Sequence, residues 1–162
     1  MVGELQWDRA APVPHPSYRA PITVRFYAPG SDPAARGARF TVTTETDDGG
    51  RFSVTLAGVK DETFDINVKP LGGLSREKRG IRLRQGSPKN VRFGQVSDGD
   101  ADGDDRIDGQ DAAQVQAHFG RRGGEPGYAV SADADRDGTI TTLDWSRIAR
   151  NQGLAGPQLQ LP

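Results

Sequence analysis

Two aspartate-rich stretches of this chain repeat at an offset of 33 residues and carry its groups best suited to chemistry. The first covers residues 100–111 and the second residues 133–144. They agree at positions 1, 2, 3, 5, 8 and 12, and four of these shared positions hold aspartate. Alternate side chains of a tight loop can aim their oxygens at one point, and calcium takes about six to eight oxygen ligands. Because magnesium prefers octahedral, water-rich sites, the repeat predicts two calcium loops.

The twelve-residue calcium loop of the EF-hand type assigns a role to each position. Side chains bind from positions 1, 3, 5, 9 and 12, and position 7 offers its backbone carbonyl. The first predicted ligand set is Asp100, Asp102, Asp104, the carbonyl of Arg106, Asp108 and Asp111. The second is Asp133, Asp135, Asp137, the carbonyl of Thr139, Thr141 and Asp144. The isoleucine at position 8 of each loop is expected to anchor the loop to its twin.

Each loop departs from the EF-hand pattern in a specific way. Position 6 favours glycine for a sharp turn; Gly138 complies, whereas the first loop has Asp105. Aspartate tolerates the left-handed region better than most residues, so the first loop remains plausible and is expected to be the weaker one. Position 12 is aspartate in both loops, so the following helix must bring a shorter carboxylate closer. The alternative is a pair of solvated acidic loops, which two full matches in one short chain disfavour.

A short helix is expected after each loop but not before it. Helical spacing places Val115 and Phe119 on one face of the first helix, and Trp145, Ile148 and Ala149 on one face of the second. Gly120 and Gly153 stand where the helices would end. Strand-like and turn-like residues precede Asp100, and only a short segment separates Pro126 from Asp133. The repeating unit is therefore a loop followed by one helix.

Two loop–helix units about 33 residues apart, with aspartate at position 12, resemble the type I dockerin family over residues 98–153. The resemblance implies two bound Ca²⁺ ions and a cohesin domain as partner, in a cellulosome-like assembly related to polysaccharides. In that family the recognition residues lie at loop positions 10 and 11 and further along each helix. Carried over by position, the partner-binding residues are Gly109, Gln110, Ala117, His118, Thr142, Leu143, Arg150 and Asn151. We expect the second unit to dominate, through Leu143 and Arg150.

The N-terminal part of the chain has a period of two. Seven short runs alternate apolar and polar residues, with turn residues between them, around Leu5, Ile22, Phe40, Phe52, Phe64, Ile81 and Val91. Seven strands in about 95 residues predict an all-β antiparallel sandwich. The residues between the Phe40 and Phe52 runs, Asp47–Gly50, indicate a hairpin. The order of motifs resembles carboxypeptidase-regulatory-like or prealbumin-like sandwich modules, which implies an accessory role.

Charge divides the chain at the same place as periodicity. Residues 1–95 have a balance of +5 and residues 96–162 a balance of −6, although the whole chain is at −1. We therefore predict two modules, a sandwich over residues 1–95 and a small all-α dockerin-like module over residues 96–162. Almost no flexible spacer separates them, so we expect the modules to touch.

Composition excludes several classes of protein. The chain has no cysteine, so disulfides and thiolate metal sites are excluded. No apolar run is long enough to span a bilayer. The first residues do not have the features of a signal peptide, and calcium is abundant outside cells. We expect a monomeric fragment of an extracellular bacterial protein.

Other functions are less well supported by the sequence. His15 has no nucleophile at motif spacing, so we expect no enzymatic activity, and the basic run at residues 76–84 lacks the interleaved aromatics of a nucleic-acid site. Trp7, Tyr18 and Tyr27 could form a sugar-stacking strip, although core packing is the commoner use of such residues. The remaining alternative is a structural, adhesive or carbohydrate-binding fragment that calcium stabilises and that has no cohesin partner.

Overall fold

The N-terminal part folds as a sandwich of two β-sheets. The computed structural model describes residues 1–7, 12–31 and 37–157. One sheet has the order β4–β1–β8 and the other β3–β2–β5–β7. Their strands are β1 (Val2–Trp7), β2 (Pro21–Tyr27), β3 (Phe40–Glu45), β4 (Arg51–Ser53), β5 (Asp61–Pro70), β7 (Arg76–Arg84) and β8 (Asn90–Val96). A two-stranded ladder joins β6 (Gly72–Gly73) to β9 (Asp98–Asp100). The predicted sandwich of seven strands is confirmed.

The core of the sandwich comes from the alternating residues of its strands. On β8, Val91, Phe93 and Val96 are buried while Arg92 is exposed. The largest buried side chains include Phe26 and Phe64, whose rings meet edge to face at 5.8 Å between centroids. Burial of apolar area contributes roughly 25 cal/mol per Å², so the packing of the two sheets against each other is the main stabilising interaction of the module.

Two features of the sandwich differ from the sequence-based prediction. The pairing of β1 with β8 is parallel, so the module is not purely antiparallel. The prediction of a hairpin at Asp47–Gly50 is wrong, because the two flanking strands lie in different sheets. The β3 strand pairs with β2, whereas β4 pairs with β1. The turn is tight, with the Asp47 carboxylate accepting from the amides of Gly49 (2.8 Å) and Arg51 (2.9 Å). Turn chemistry alone cannot tell a hairpin from a corner that crosses between sheets.

Residues 69–75, which we call the junction segment, run from the end of β5 to the start of β7 and contact the C-terminal module. Gly72 pairs with Asp100, and Gly73 with Asp98, in the β6–β9 ladder. Gly72 has φ of +72°, and a Cβ there would stand 2.8 Å from the Ser131 carbonyl oxygen, so only glycine allows this approach. The expectation that the modules touch is confirmed.

The C-terminal module contains two short helices, α1 (Gly109–Ala117) and α2 (Thr142–Asn151). Both follow the aspartate loops directly, as predicted. Their small core joins Ile107, Val115, Ala132, Ile140 and Ile148 to Leu74, which comes from the junction segment. The sandwich therefore completes the core of its neighbour.

Part of the predicted helical core is wrong. Phe119 is 53% exposed and Trp145 is 52% exposed, and Ala149 is exposed as well. Each helix has about ten residues and one buried apolar side chain, Val115 in α1 and Ile148 in α2. The other apolar residues of the predicted helix faces are therefore exposed at the surface.

Backbone pairing relates the two loop–helix units by an approximate two-fold exchange. After α1, Gly120 donates to the Ile140 carbonyl (2.8 Å); after α2, Gly153 donates to the Ile107 carbonyl (2.8 Å). In return Ile140 donates to the Arg121 carbonyl and Ile107 to the Leu154 carbonyl, each at 2.9 Å. Each loop is thus pinned to the segment that follows the helix of the other unit. The predicted anchoring of the loops directly to each other holds for the isoleucine side chains, which share one core cluster, but not for the backbone.

Candidate metal centres and docking surface

The first three aspartates of each loop converge. Asp100, Asp102 and Asp104 each place a carboxylate oxygen within 4.8 Å of the others. In the second loop Asp133, Asp135 and Asp137 do the same. The structure therefore brings together the side chains that sequence spacing assigned to positions 1, 3 and 5, in both repeats.

The same chain of short turns shapes both loops. The amide of Asp104 donates to Asp102 Oδ1 (3.2 Å) and that of Arg106 to Asp104 Oδ1 (2.8 Å). The second loop repeats this pattern at Asp137 (3.2 Å) and Thr139 (2.8 Å). Aspartates that bond to a backbone amide two residues on favour turns over helix or strand. The alternating aspartates therefore fold the loop as well as lining it.

Positions 9 and 12 join each loop to its helix. Asp108 is the N-cap of α1 and accepts from Gln110 N (2.7 Å), while Asp111 Oδ2 accepts from Asp108 N (2.7 Å). Thr141 and Asp144 form the equivalent capping box at α2. These caps were not predicted, although the spacing of an N-cap residue three before a carboxylate is a readable signal. Asp111 Oδ1 also accepts from the Ala101 amide (2.7 Å), so one carboxylate ties the loop's start to its end.

The donor set fits a hard divalent cation. All side-chain donors are oxygens, which calcium and magnesium prefer. Asp133 is 3% exposed, and its Oδ1 is buried with no hydrogen-bond partner among the described residues. An unpaired buried carboxylate oxygen is costly, and a cation beside it would remove that cost. Burial, followed by repulsion from Asp144, raises the pKa of Asp135 to about 6, as expected where carboxylates crowd without a counter-charge.

Burial raises the pKa of three more carboxyl groups of the loops: Asp100, Asp111 and Asp144. Asp105 behaves in the opposite way. Although its own desolvation acts to raise it, hydrogen bonds from Ser75 and the Lys69 ammonium together hold the pKa of Asp105 below its ordinary value. The turn residue of the first loop is therefore held as a charged group by the sandwich.

The first loop is fastened to the junction segment at two carboxylates. The Lys69 ammonium forms ion pairs with Asp100 Oδ2 and, at 2.9 Å, with Asp105 Oδ1. Ser75 donates to Asp105 twice, from its amide (2.7 Å) and its hydroxyl (2.5 Å). On the other side, a Cβ on Gly156 would overlap the Asp105 carboxylate, so the C-terminal segment closes over this residue.

The second loop reaches the sandwich through Arg136, at loop position 4. Its guanidinium donates to the Leu71 carbonyl oxygen (3.1 Å) and stacks over the ring of Trp7, 5.1 Å from the centroid. It also pairs with Asp98 Oδ1 at 3.5 Å. These contacts bind the guanidinium to Leu71 and Trp7 of the sandwich, while its charge also attracts Asp133 of its own loop. Position 4 was not among the predicted functional residues, because a ligand pattern assigns it no role.

The predicted partner-binding residues divide into exposed and internally bonded ones. Gly109, Gln110, Ala117, Thr142 and Arg150 are exposed, and Leu143 is 59% exposed. His118 Nδ1 lies 2.7 Å from the Gly127 carbonyl oxygen, and Asn151 Nδ2 donates to the Asp98 carbonyl (2.8 Å). These two equivalent positions tie the helix ends to the module itself. Leu143 and Trp145 expose apolar side chains on α2, and packing within the module does not account for this exposure.

The structure supports core packing, and not the alternative of a sugar-stacking strip, for three aromatic residues of the sandwich. Trp7, Tyr18 and Tyr27 are 6%, 5% and 8% exposed. Trp7 and Tyr18 pack edge to face at 6.2 Å between centroids, inside the sandwich core. Their rings offer no flat face on which a sugar could stack.

The comparison with protein families decides the nature of the C-terminal part. Residues 98–151 match the family model described as the dockerin type I domain. This segment is a dockerin. The match starts at β9 and ends with α2, so it contains both aspartate loops and both helices of the dockerin. No curated protein matches the chain in sequence.

Solved structures resemble the whole chain in fold. One belongs to a C-terminal interface mutant of the type II cohesin–X–dockerin complex from Acetivibrio cellulolyticus, with TM-score 0.62 and 20% identity. Another is an N-terminal interface mutant of that complex, with TM-score 0.61 and 19% identity. Each match covers 96% of this chain and 96% of the other. At this identity the likeness concerns the fold, and it extends over the sandwich and the dockerin together.

The helices are short compared with a membrane-spanning helix. Among the residues that the structure describes, no helix is both long and apolar enough to cross a bilayer.

Proposed function

We propose that this chain is a calcium-dependent docking unit that binds a cohesin domain, and that it acts without catalysis. The dockerin match at residues 98–151 carries the proposal, because it covers both loops and both helices. The similar structures, named as cohesin–X–dockerin complexes, support it. The sandwich would then be an accessory module of an extracellular bacterial protein, comparable to the X module in those names.

Calcium would be held by the ligand sets of the two loops. The capping boxes link occupancy of each loop to its helix, because Asp111 and Asp144 serve both as predicted ligands and as the N3 carboxylates that accept from the N-cap amides. Metal binding that organises ligands in this way contributes to folding. Calcium would thereby fix the helices whose surfaces meet the partner.

The surface around α2 fits a partner better than that around α1. Leu143 exposes apolar area there and shares a helix face with Arg150, seven residues on, while Trp145 exposes apolar area on another side of the helix. The exposed residues of α1 include Gln110, Ala113 and Ala117, which are small or neutral, and the exposed Phe119 comes only after the helix ends. Aromatic and arginine side chains are enriched among residues that dominate binding free energy, and burial of a leucine adds apolar area, so we propose that α2 provides the main contact.

Isothermal titration calorimetry with a panel of type I and type II cohesin domains tests the proposal. We expect at least one cohesin to bind in calcium and none to bind in excess chelator. Leu143→Asp should weaken binding about tenfold or more, since a buried leucine contributes about 1.5–3 kcal/mol. Val13→Asp, at a 58%-exposed apolar residue of the sandwich, is the matched control and should bind normally. Failure of every cohesin to bind the calcium-loaded chain would refute the docking function.

A second function is favoured by one observation. Leu74 of the junction segment lies in the dockerin core, so the two modules stabilise each other. The dockerin could then serve to cap the sandwich, with no cohesin partner. Calcium binding and mutual stabilisation, without any cohesin binding in the same titrations, would support this alternative.

A further inference from the structure

The two loops have similar backbone conformations but differ in the group that contacts their first aspartate. Asp100 Oδ2 accepts from the ammonium of Lys69, which belongs to the sandwich. Asp133 Oδ2 accepts from the hydroxyl of Tyr128 (2.5 Å), which belongs to the dockerin. An ammonium carries a full positive charge and a phenol is neutral. The first loop therefore has an ammonium in direct contact with its first aspartate. In the second loop the Arg136 guanidinium attracts Asp133 but forms no ion pair with it among the described residues, and Asp133 Oδ1 is left without a hydrogen-bond partner there.

Backbone strain points to the same contacts. Asp105 (φ 70°) and Arg136 (φ 58°) are the two non-glycine residues with positive φ in the described part of the chain. They occupy position 6 of the first loop and position 4 of the second, and the other loop has glycine at each of these positions. Glycine would avoid the strain in both places. Both strained side chains contact the junction segment, so the strain coincides with the contacts between modules.

We propose that Lys69 is a resident counter-cation of the first loop: it neutralises Asp100 and Asp105 when no metal ion is bound, keeps the modules joined in that state, and makes the first loop the weaker calcium site. This proposal deepens the calcium step of the proposed function and does not require a cohesin. The second loop, with Tyr128 in the corresponding place, is the tighter site.

The charge of Lys69 determines the direction of its effect on the metal-free loop and on calcium affinity. Without a metal ion, the ammonium attracts the two carboxylates and reduces repulsion in the first loop. A calcium ion bound by the same loop repels the ammonium, and the Lys69 side chain is only 16% exposed, so solvent screens this repulsion incompletely. Asp100 is fully buried, which strengthens both effects. The ammonium therefore stabilises the metal-free loop and opposes its loading.

Calorimetric titration of the full chain with Ca²⁺, after removal of metal, tests the proposal. We expect two phases for the unchanged chain. Lys69→Met keeps the length of the side chain and removes the charge, and it should tighten the weaker phase about tenfold while leaving the tighter phase unchanged. In chelator the same variant should melt at a lower temperature than the unchanged chain.

Two controls separate this effect from net charge and from side-chain shape. Lys60→Met removes one exposed sandwich charge and should leave both phases unchanged. Lys69→Arg keeps the charge, so the two phases should stay separated. Equal calcium constants for the unchanged chain and Lys69→Met, or a weaker first phase in Lys69→Met, would overturn the proposal.

Hydrogen exchange of the unchanged chain keeps the test decisive if Lys69→Met fails to fold. In chelator, the amide of Asp105, which donates to Asp100 Oδ2 at 3.0 Å, should exchange more slowly than that of Gly138, which donates to Asp133 Oδ2 at 3.0 Å. The opposite order, or equal rates, would overturn the proposal. Two calcium phases with no cohesin binding would refute docking alone, whereas cohesin binding with a single, uniform calcium phase would refute the role of Lys69 alone.

Discussion

The two aspartate loops of the dockerin are near-copies in backbone but differ in the group that contacts their first aspartate. Corresponding amide-to-carboxylate bonds recur at the same lengths, such as 2.8 Å from both Arg106 N and Thr139 N. Yet the first aspartate of the first loop pairs with a charged group of the sandwich, whereas that of the second loop accepts from a tyrosine within the dockerin. A duplicated ligand pattern therefore does not imply two equal sites, because the second layer of contacts decides what a bound ion must displace or oppose.

The largest expected difference comes from removing one aspartate at position 1 of each loop. Asp133→Asn keeps the shape of the side chain but removes the charge from the tighter loop. Binding at about 1,000 times the Kd stabilises a fold by about 4 kcal/mol, so losing that ion should unfold most of the dockerin helices. Asp100→Asn should cost less, because we propose that the first loop is the weaker calcium site. Circular dichroism melting in millimolar calcium compares the two, and a larger loss in Asp100→Asn would reverse the assigned order.

The next prediction asks whether the sandwich serves the dockerin by apolar contact as well as by charge. Leu74 is 3% exposed and lies in the dockerin core. Leu74→Ala should destabilise the dockerin by about 3 kcal/mol, the usual range for a buried leucine, and should affect both loops. Leu71→Ala, at a 43%-exposed neighbour, is the control and should cost well under 1 kcal/mol. Urea unfolding followed at Trp145 measures both, and equal stabilities would show that the junction contributes charge alone.

Sequence reasoning predicted the clusters at loop positions 1, 3 and 5 and the sandwich because both are local patterns. Alternation within strands and spacing within loops depend on neighbours a few residues apart. Leu74 could not be found in this way, because it stands more than 30 residues before the helices whose core it completes. Trp145 was placed in the core because a large apolar residue on a helix usually packs inward, and here it does not. Asp105 could be singled out from the sequence, since it stands where glycine is favoured. Its partners Lys69 and Ser75 could not be predicted, because they are at least 30 residues away in the chain.

A smaller effect distinguishes a neutral contact from a charged one. Tyr128→Phe removes the hydroxyl that donates to Asp133 Oδ2. We expect a loss of about 1 kcal/mol from one hydrogen bond. The calcium affinity of the second loop should change by less than about threefold, since no charge changes. Calorimetry beside Lys69→Met shows the contrast, and a tenfold change in Tyr128→Phe would mean that charge is not what separates the loops.

The smallest effect concerns pH in the absence of metal ions. The pKa of Asp135 is raised from its ordinary value of 3.8 to about 6, by burial first and then by Asp144. A carboxyl group whose pKa is higher in the folded state favours folding below its unfolded value, and this contribution is lost as pH rises through the folded value. Chelated protein should therefore protect the second loop better near pH 5 than near pH 7. In the first loop the pKa of Asp100 is raised whereas that of Asp105 is lowered, so the two contributions oppose each other and the gain should be smaller. Hydrogen exchange at Gly138 and Asp105, corrected for intrinsic rates at each pH, measures the difference, and an equal gain at both amides would show that Lys69 does not set the two loops apart.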